Sequence, residues 1–226
     1  DGGAADPGDP EGYRSRLHAA WAANFLSYLV VSTSRALFPK LGIELGMSAT
    51  LIGSILLCVY LSLVTVFYAF RGLIRFPSSP FAILAGPLLL VVALTLLTLS
   101  RDVPSFVSAF LVLGVAMGIS YHSSLFHSLL RPGRAALRSG VHETMLGLGS
   151  LLGPICGGVV VDHAPLFASA VSRVTGEAPR ISSLKSPYLF CLIPVSVGLT
   201  ALFLYLAKEG RQDKNPPRKT SNGLFV

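Results

Sequence analysis

The sequence predicts an all-α membrane protein, a bundle of six transmembrane helices. Only 13% of the 226 residues are charged and 52% are hydrophobic, whereas a soluble domain carries roughly 25% charged residues. The mean hydropathy is +0.65. The apolar residues also cluster into six long stretches, and about 20 apolar residues make a helix that crosses a bilayer core.

The predicted spans divide the chain into three regions. A flexible cytoplasmic linker is expected at 1–17, where Gly, Ala, Asp and Pro are frequent, and a disordered basic cytoplasmic tail at 208–226. The third span has the fewest polar groups, so we expect it to face lipid more than the others do. The six-helix bundle at 18–207 has spans at about 18–38, 48–70, 80–99, 104–130, 137–161 and 188–207.

The distribution of basic residues predicts how the helices are oriented. Six spans place both termini on one side of the membrane. If that side is the cytoplasm, the inside segments carry twelve Lys and Arg residues and the outside segments carry five, as the positive-inside rule requires. We therefore expect both termini in the cytoplasm. The net charge of +7 is then a signal of topology, and it argues against nucleic acid as a partner.

The most specific pattern lies in the fourth and fifth spans and the basic turn between them. It resembles helices ten and eleven of major facilitator superfamily transporters, especially prokaryotic members. The first two spans, with Ser34-Arg35, Phe38-Pro39 and Ser48-Ala49-Thr50, resemble helices seven and eight. The residues that carry the main resemblance are Gly114-x-x-x-Gly118, Tyr121-His122, Arg131 to Arg138, Gly140-x-His142-Glu143-x-x-x-Gly147-x-Gly149 and Gly153-Pro154-x-x-Gly157-Gly158.

The resemblance implies half of a major facilitator fold, the C-terminal six-helix half of a secondary transporter that works by alternating access. The implied partners are the lipid bilayer, the N-terminal six-helix half of the same transporter and a small-molecule solute, with protons as a candidate coupling ion. It implies no cofactor and no enzymatic activity, and a location in the plasma membrane (the bacterial inner membrane).

An alternative function stays open, that of a non-transporting six-span membrane scaffold or binding subunit. The chain opens on a polar linker without Met, so we expect it to be the cut end of a longer protein. Six further spans upstream in the reading frame would exclude the alternative.

Gly149, Gly153 and Gly157 recur at every fourth residue of the fifth span and form one flat stripe. Helix association in lipid depends on close packing, which small residues permit. Pro154 beside them frees a backbone carbonyl and can bend the helix. The sequence predicts a tight helix crossing here, and a hinge is compatible with it.

Glu143 is the main candidate for a functional ionisable group within the spans. It lies six residues beyond Leu137, roughly 9 Å into the membrane. On the antiparallel fourth span, His127 and His122 are expected at depths of ~5 and ~12 Å, which bracket it. A carboxylate with a histidine could carry a coupling proton. A structural hydrogen-bonded pair is the equal alternative. His142 should point about 100° away from Glu143.

The first span places Asn24, Tyr28 and Arg35 near one face, since they lie at offsets of 0, 4 and 11 residues. With Tyr121 of the fourth span they are candidates for lining a solute cavity. Ordinary hydrogen bonding between helices is the alternative. Arg35 is expected three residues from the outer end of its helix, where it could also extend to the interface.

Enzymatic sites find no support in the sequence. Rhomboid proteases also have six spans, but they need a Gly-x-Ser-Gly nucleophile, and the nearest string here is Gly118-Ile119-Ser120-Tyr121. His142-Glu143 does not begin a zinc motif, because position 146 is Leu146. We therefore expect no catalytic residues, no metal and no cofactor.

Overall fold

Residues 11–72, 79–164 and 185–214 are described by a computed structural model, and all regular structure in these ranges is helical. The predicted all-α bundle is confirmed. A 3₁₀ turn at Pro132–Arg134 precedes the fifth helix. The six helices are α1 (Glu11–Glu44), α2 (Ala49–Phe70), α3 (Pro80–Leu99), α4 (Val103–Leu129), α5 (Ala135–Asp162) and α6 (Ser186–Lys214).

Three helices begin at residues that suit a helix N-terminus. The side chains of Ser48, Ser79 and Asp102 accept hydrogen bonds from backbone N–H groups of the first turn in α2, α3 and α4. Pro80 and Pro104 follow at the first helical positions, where the missing N–H costs nothing. Local sequence therefore fixes where these helices start, independently of their hydropathy.

Five of the helices, α2 to α6, are long and apolar enough to cross a membrane. The predicted span at 18–38 lies within α1, which is longer, with 34 residues, and more polar. Its polar side chains Asn24, Ser27, Thr33 and Ser34 are buried. A helix that faces other helices can carry such groups, because its neighbours rather than lipid surround them.

The first and last helices extend further than the predicted spans. α1 starts at Glu11, and α6 continues to Lys214, so 11–17 and 208–214 are helical. The Tyr13 hydroxyl donates to the carbonyl oxygen of His127 at 2.6 Å, which fixes the start of α1 against α4. The remainder of the predicted linker and tail, 1–10 and 215–226, lies outside the described residues.

The composition of α3 suggested that it would face lipid more than the other spans do. The structure shows that it does not. Half of the residues in its most apolar segment are buried, compared with 28% in α2 and 22% in each of α5 and α6. Leu90, Leu94 and Leu97 are fully buried in the main core cluster. Leucine suits a lipid tail and a helix neighbour equally well, so a leucine-rich sequence does not distinguish the two environments.

Two charged residues, Lys185 and Asp102, lie just outside the spans, at the end of the bundle where α3 ends and α4 and α6 begin. The Lys185 ammonium donates to the carbonyl oxygens of Thr98 and Ser100. Burial lowers the pKa of Lys185, and the charge of Arg101 lowers it further. Hydrogen bonds from Ser105 hold the pKa of Asp102 below its usual range. The Lys185 contacts therefore fasten the start of α6 to the end of α3, and the Asp102 contacts cap α4.

Candidate functional site

The candidate site is built on the antiparallel contact between α1 and α4. The Trp21 indole Nε1 donates to Ser128 Oγ at 3.0 Å, and the ring of Tyr28 packs against that of Tyr121 with 6.3 Å between centroids. Trp21 and Tyr28 are seven residues apart, as are Tyr121 and Ser128, so each pair lies on one helix face. This face of α1 therefore runs along α4 from the C-terminal end of α4 towards the middle of the bundle.

Four ring side chains form a half-buried row across α1, α2 and α4, which we call the aromatic lane: Tyr28, Phe67, Tyr121 and His122. The Phe67 ring lies 5.2 Å from the Tyr121 ring and 6.2 Å from the His122 ring, measured between centroids. These separations are typical of attractive contacts between aromatic rings. The lane thus presents a continuous surface of rings at one side of the bundle.

Arg35 lies on the same face of α1, seven residues beyond Tyr28. Its guanidinium carbon is 5.2 Å from the centroid of the Tyr60 ring, a cation–π distance. α1 continues through Pro39 to Glu44, so Arg35 is nine residues from the helix end, not three. That is about 14 Å of helix, so the expectation that Arg35 sits close to the outer end of its helix is wrong.

Glu143 lies beside the lane and is well exposed, with 61% of its side-chain surface accessible. It is eight residues into α5, about 12 Å along the helix. Its carboxylate is close enough to interact electrostatically with the hydroxyls of Tyr28 and Tyr121. Glu143 therefore adds a negative charge to a surface that otherwise consists of rings and hydroxyls.

The histidine that the structure places near Glu143 is His142. Its Nε2 lies 3.9 Å from Glu143 Oε1, although the His142 side chain is fully buried and that of Glu143 is exposed. His122 instead packs against Phe67 and Phe70. His127 is buried, and its Nδ1 is 2.8 Å from the carbonyl oxygen of Ser123. The structure brings together Glu143, Tyr28 and Tyr121 of the candidate residues, with His142 in addition.

His142 belongs to a second group, which we call the polar layer: Asn24, Ser124 and His142. All three side chains are fully buried. Ser124 Oγ and His142 Nδ1 are 2.8 Å apart, and the edge of the His142 ring meets Tyr121 with 4.9 Å between centroids. Asn24 is thus enclosed within the bundle. The sequence suggested that it would line an exposed cavity face, and it does not.

The glycine stripe of α5 packs against α1. A Cβ atom at Gly149 would lie 2.7 Å from the carbonyl oxygen of Phe25, and one at Gly157 would lie 2.8 Å from Thr33 Cγ2, well inside the usual contact distance of roughly 3.5–4 Å. The Thr33 hydroxyl donates to the carbonyl oxygen of Gly153 at 2.8 Å. Pro154 lies inside α5 in the middle of this contact. The stripe therefore holds α5 close to the helix that carries Tyr28 and Asn24.

Comparison with known families decides what this bundle is. The model of the Major Facilitator Superfamily matches residues 20–225. The chain belongs to the major facilitator superfamily. A search of curated proteins found no match. With five helices that can cross a membrane, this major facilitator protein is an integral, multi-pass membrane protein, and its family functions in membrane transport.

Sequence reasoning missed His142 as a buried residue, although one signal was available. His142 precedes Gly149 by seven residues, which puts it on the same helix face as the glycine stripe that packs against α1. Extending the stripe towards the start of α5 would have placed His142 inside the bundle. Reasoning from depth alone selected His122 and His127 instead, since depth says nothing about direction around a helix.

Proposed function

We propose that this major facilitator chain is the C-terminal six-helix half of a secondary transporter that moves a small solute by alternating access. The observation that carries the proposal is the exposed Glu143 carboxylate beside the aromatic lane. A charged group within a membrane span is costly in lipid and faces water or protein. The surface around Glu143 therefore belongs to a water-accessible path or to a contact with another protein segment.

The apolar character of the remaining helix surface supports the assignment of the lane and Glu143 to a solute path. Elsewhere α2, α5 and α6 expose large apolar side chains of the kind that suit lipid. Both the lane and Glu143 differ from that surface in polarity and lie together on one side. The exposed apolar side chains include Leu57, Leu61, Val64, Leu151, Ile155, Val159, Phe203 and Leu204.

In the proposed transporter, an N-terminal six-helix half of the same protein completes the solute path opposite the lane. Rocking of the two halves about a site near the midplane would expose that site to each side in turn. Tyr28, Tyr121 and Arg35 would line the path. Glu143 would exchange the coupling proton, with His142 beside it, His122 in the lane and the buried His127 as the candidate partners. The chain acts without a cofactor and catalyses no chemical step.

The orientation is part of the proposal, with both termini in the cytoplasm of a cell whose plasma membrane (bacterial inner membrane) holds the protein. Gly72 and Arg101 are exposed at opposite ends of the bundle. In a background without Cys58, Cys156 and Cys191, we expect Gly72→Cys to react with an impermeant thiol reagent only from the cytoplasm and Arg101→Cys only from outside. The reverse pattern would overturn the orientation.

The transport function is tested with the intact transporter in liposomes and a panel of radiolabelled small solutes. We expect at least one solute to accumulate and to raise the melting temperature, since a ligand stabilises the state that binds it. Tyr121→Ala should abolish both effects. The control is Tyr205→Ala, whose side chain is 44% exposed on α6 away from the lane, and which should leave both effects intact.

The same experiment separates the scaffold alternative. A solute that binds but never crosses the liposome membrane would favour a binding subunit over a transporter. Equal loss of accumulation in the Tyr121→Ala and Tyr205→Ala variants, with both proteins folded, would show that the lane is not the solute path.

A further inference from the structure

The polar layer contains hydrogen-bonding atoms that no other described residue satisfies. Both Nδ2 and Oδ1 of Asn24 are buried without a hydrogen-bond partner, and so is Nε2 of His142. Glu143 Oε1, at 3.9 Å from that nitrogen, is too far for a hydrogen bond. Buried polar atoms are almost always paired in folded proteins, with protein or with ordered water. Three unpaired atoms on two fully buried side chains therefore need an explanation.

Helical register places Asn24 of α1 at the level of Ser124, which His142 contacts from α5. Asn24 lies three residues after Trp21 and four before Tyr28, and these contact Ser128 and Tyr121 of α4. Residues at such offsets share one helix face. Asn24 must therefore face α4 midway between those two contacts, at the level of Ser124. His142 reaches the same serine from α5.

We propose that the polar layer binds an ordered water molecule, which bridges the side-chain amide of Asn24 to Nε2 of His142. A buried water molecule needs two to four polar partners, and these two side chains offer three atoms for it. Water suits the layer because it both donates and accepts. It therefore completes the hydrogen bonds of Asn24 and serves either neutral tautomer of His142.

A metal ion fits the layer less well than water. The layer supplies an amide, a hydroxyl and one ring nitrogen, with no carboxylate inside it, since Glu143 points to the surface. The three side chains bring no negative charge that would compensate a buried cation. The NH₂ group of Asn24 also needs an acceptor, which a cation cannot provide.

The bridge makes a specific contribution to the bundle, because it joins α1 to α5 through two side chains that do not bond each other directly. It is the polar counterpart, at the level of Ser124, of the glycine contact that joins the same helices further along. It also gives the His142 ring, which is sealed from lipid, a partner that exchanges protons.

A double-mutant cycle tests the bridge through melting temperatures of the intact protein. We expect Asn24→Leu to lower the melting temperature, because the leucine displaces the water and leaves Nε2 of His142 unpaired. His142→Leu should also lower the melting temperature, because it leaves the side-chain amide of Asn24 unpaired. The double variant should melt higher than the sum of the two shifts predicts, since neither bridge partner is left unpaired and the loss at Ser124 is already counted in His142→Leu.

A polar layer without water would give a different result in the same double-mutant cycle. If the layer is dry, Asn24→Leu removes atoms that were already unpaired and should raise the melting temperature. His142→Leu then loses only its hydrogen bond to Ser124, and the two shifts should add. Additive or zero shifts would overturn the proposal. If a leucine variant fails to fold, water-edited solid-state NMR of ¹⁵N-histidine protein decides. Rapid transfer of magnetisation from water to His142 supports the bridge. If no transfer occurs within the time in which buried amides receive magnetisation, the bridge is overturned.

Discussion

Replacing Gly153 with leucine should abolish most of the folded protein. A Cβ atom at this position would overlap the carbonyl oxygen of Leu29 and the hydroxyl of Ser32 on α1. The carbonyl is backbone and cannot rotate away, so α5 would have to separate from α1. Overpacking of this kind typically costs about 1–3 kcal/mol of stability in soluble proteins. Because the clash here is with backbone, we expect a cost at or above the upper limit of that range.

The matched control is Gly158→Leu in the same helix. A Cβ atom at Gly158 meets nothing within 4 Å, and leucine favours helix by roughly 0.8–1 kcal/mol relative to glycine. We therefore expect the control to match or exceed the wild-type yield and melting temperature in detergent. Equal behaviour of the two variants, measured by size-exclusion chromatography and thermal unfolding, would show that α5 does not need to approach α1 closely.

The positions of the helices were largely predictable from sequence, because hydropathy and span length report directly on a membrane environment. Ser48, Ser79 and Asp102 even fixed where three helices begin. The surroundings of each helix were much harder to predict. α3 was expected to face lipid and is among the more buried spans, since apolar side chains satisfy lipid and protein neighbours alike.

The candidate site was predictable only in part for a related reason. Spacing along a helix gives the height of a residue, and that argument selected Glu143, which lies eight residues into α5. Direction around the axis depends on which helices are neighbours, and this decided that Asn24 faces α4 and that His142 is buried. A single sequence holds no record of those neighbours, apart from indirect signals such as the glycine stripe.

The lane and the polar layer occupy two sides of one ring, that of Tyr121. This ring packs on Tyr28 in the lane and meets the edge of His142 in the layer. A shift of Tyr121 during transport would therefore change the surroundings of both a solute-facing surface and a buried histidine. This arrangement gives the proposed path a physical connection to groups that can bind protons.

Replacing Glu143 with glutamine should separate proton coupling from solute movement in the proposed transporter. Glutamine keeps the shape and the hydrogen-bonding oxygen but cannot release or bind a proton at neutral pH. We expect folding to survive, because the side chain is 61% exposed and packs little. Uptake driven by a proton gradient should fall about tenfold or more, which corresponds to a loss of at least ~1.4 kcal/mol of transition-state stabilisation.

Solute counterflow in the same liposomes is the decisive comparison, since exchange of labelled for unlabelled solute needs no net proton movement. It should stay near the wild-type rate in Glu143→Gln. The control Glu44→Gln changes an exposed carboxylate at the end of α1, away from the lane, and should affect neither assay. If Glu143 is only a structural hydrogen-bond partner, glutamine should preserve both activities. If its charge holds the fold together, both should fall with the yield of protein. Equal effects on gradient-driven uptake and counterflow, in either direction, would therefore eliminate a coupling role for this carboxylate.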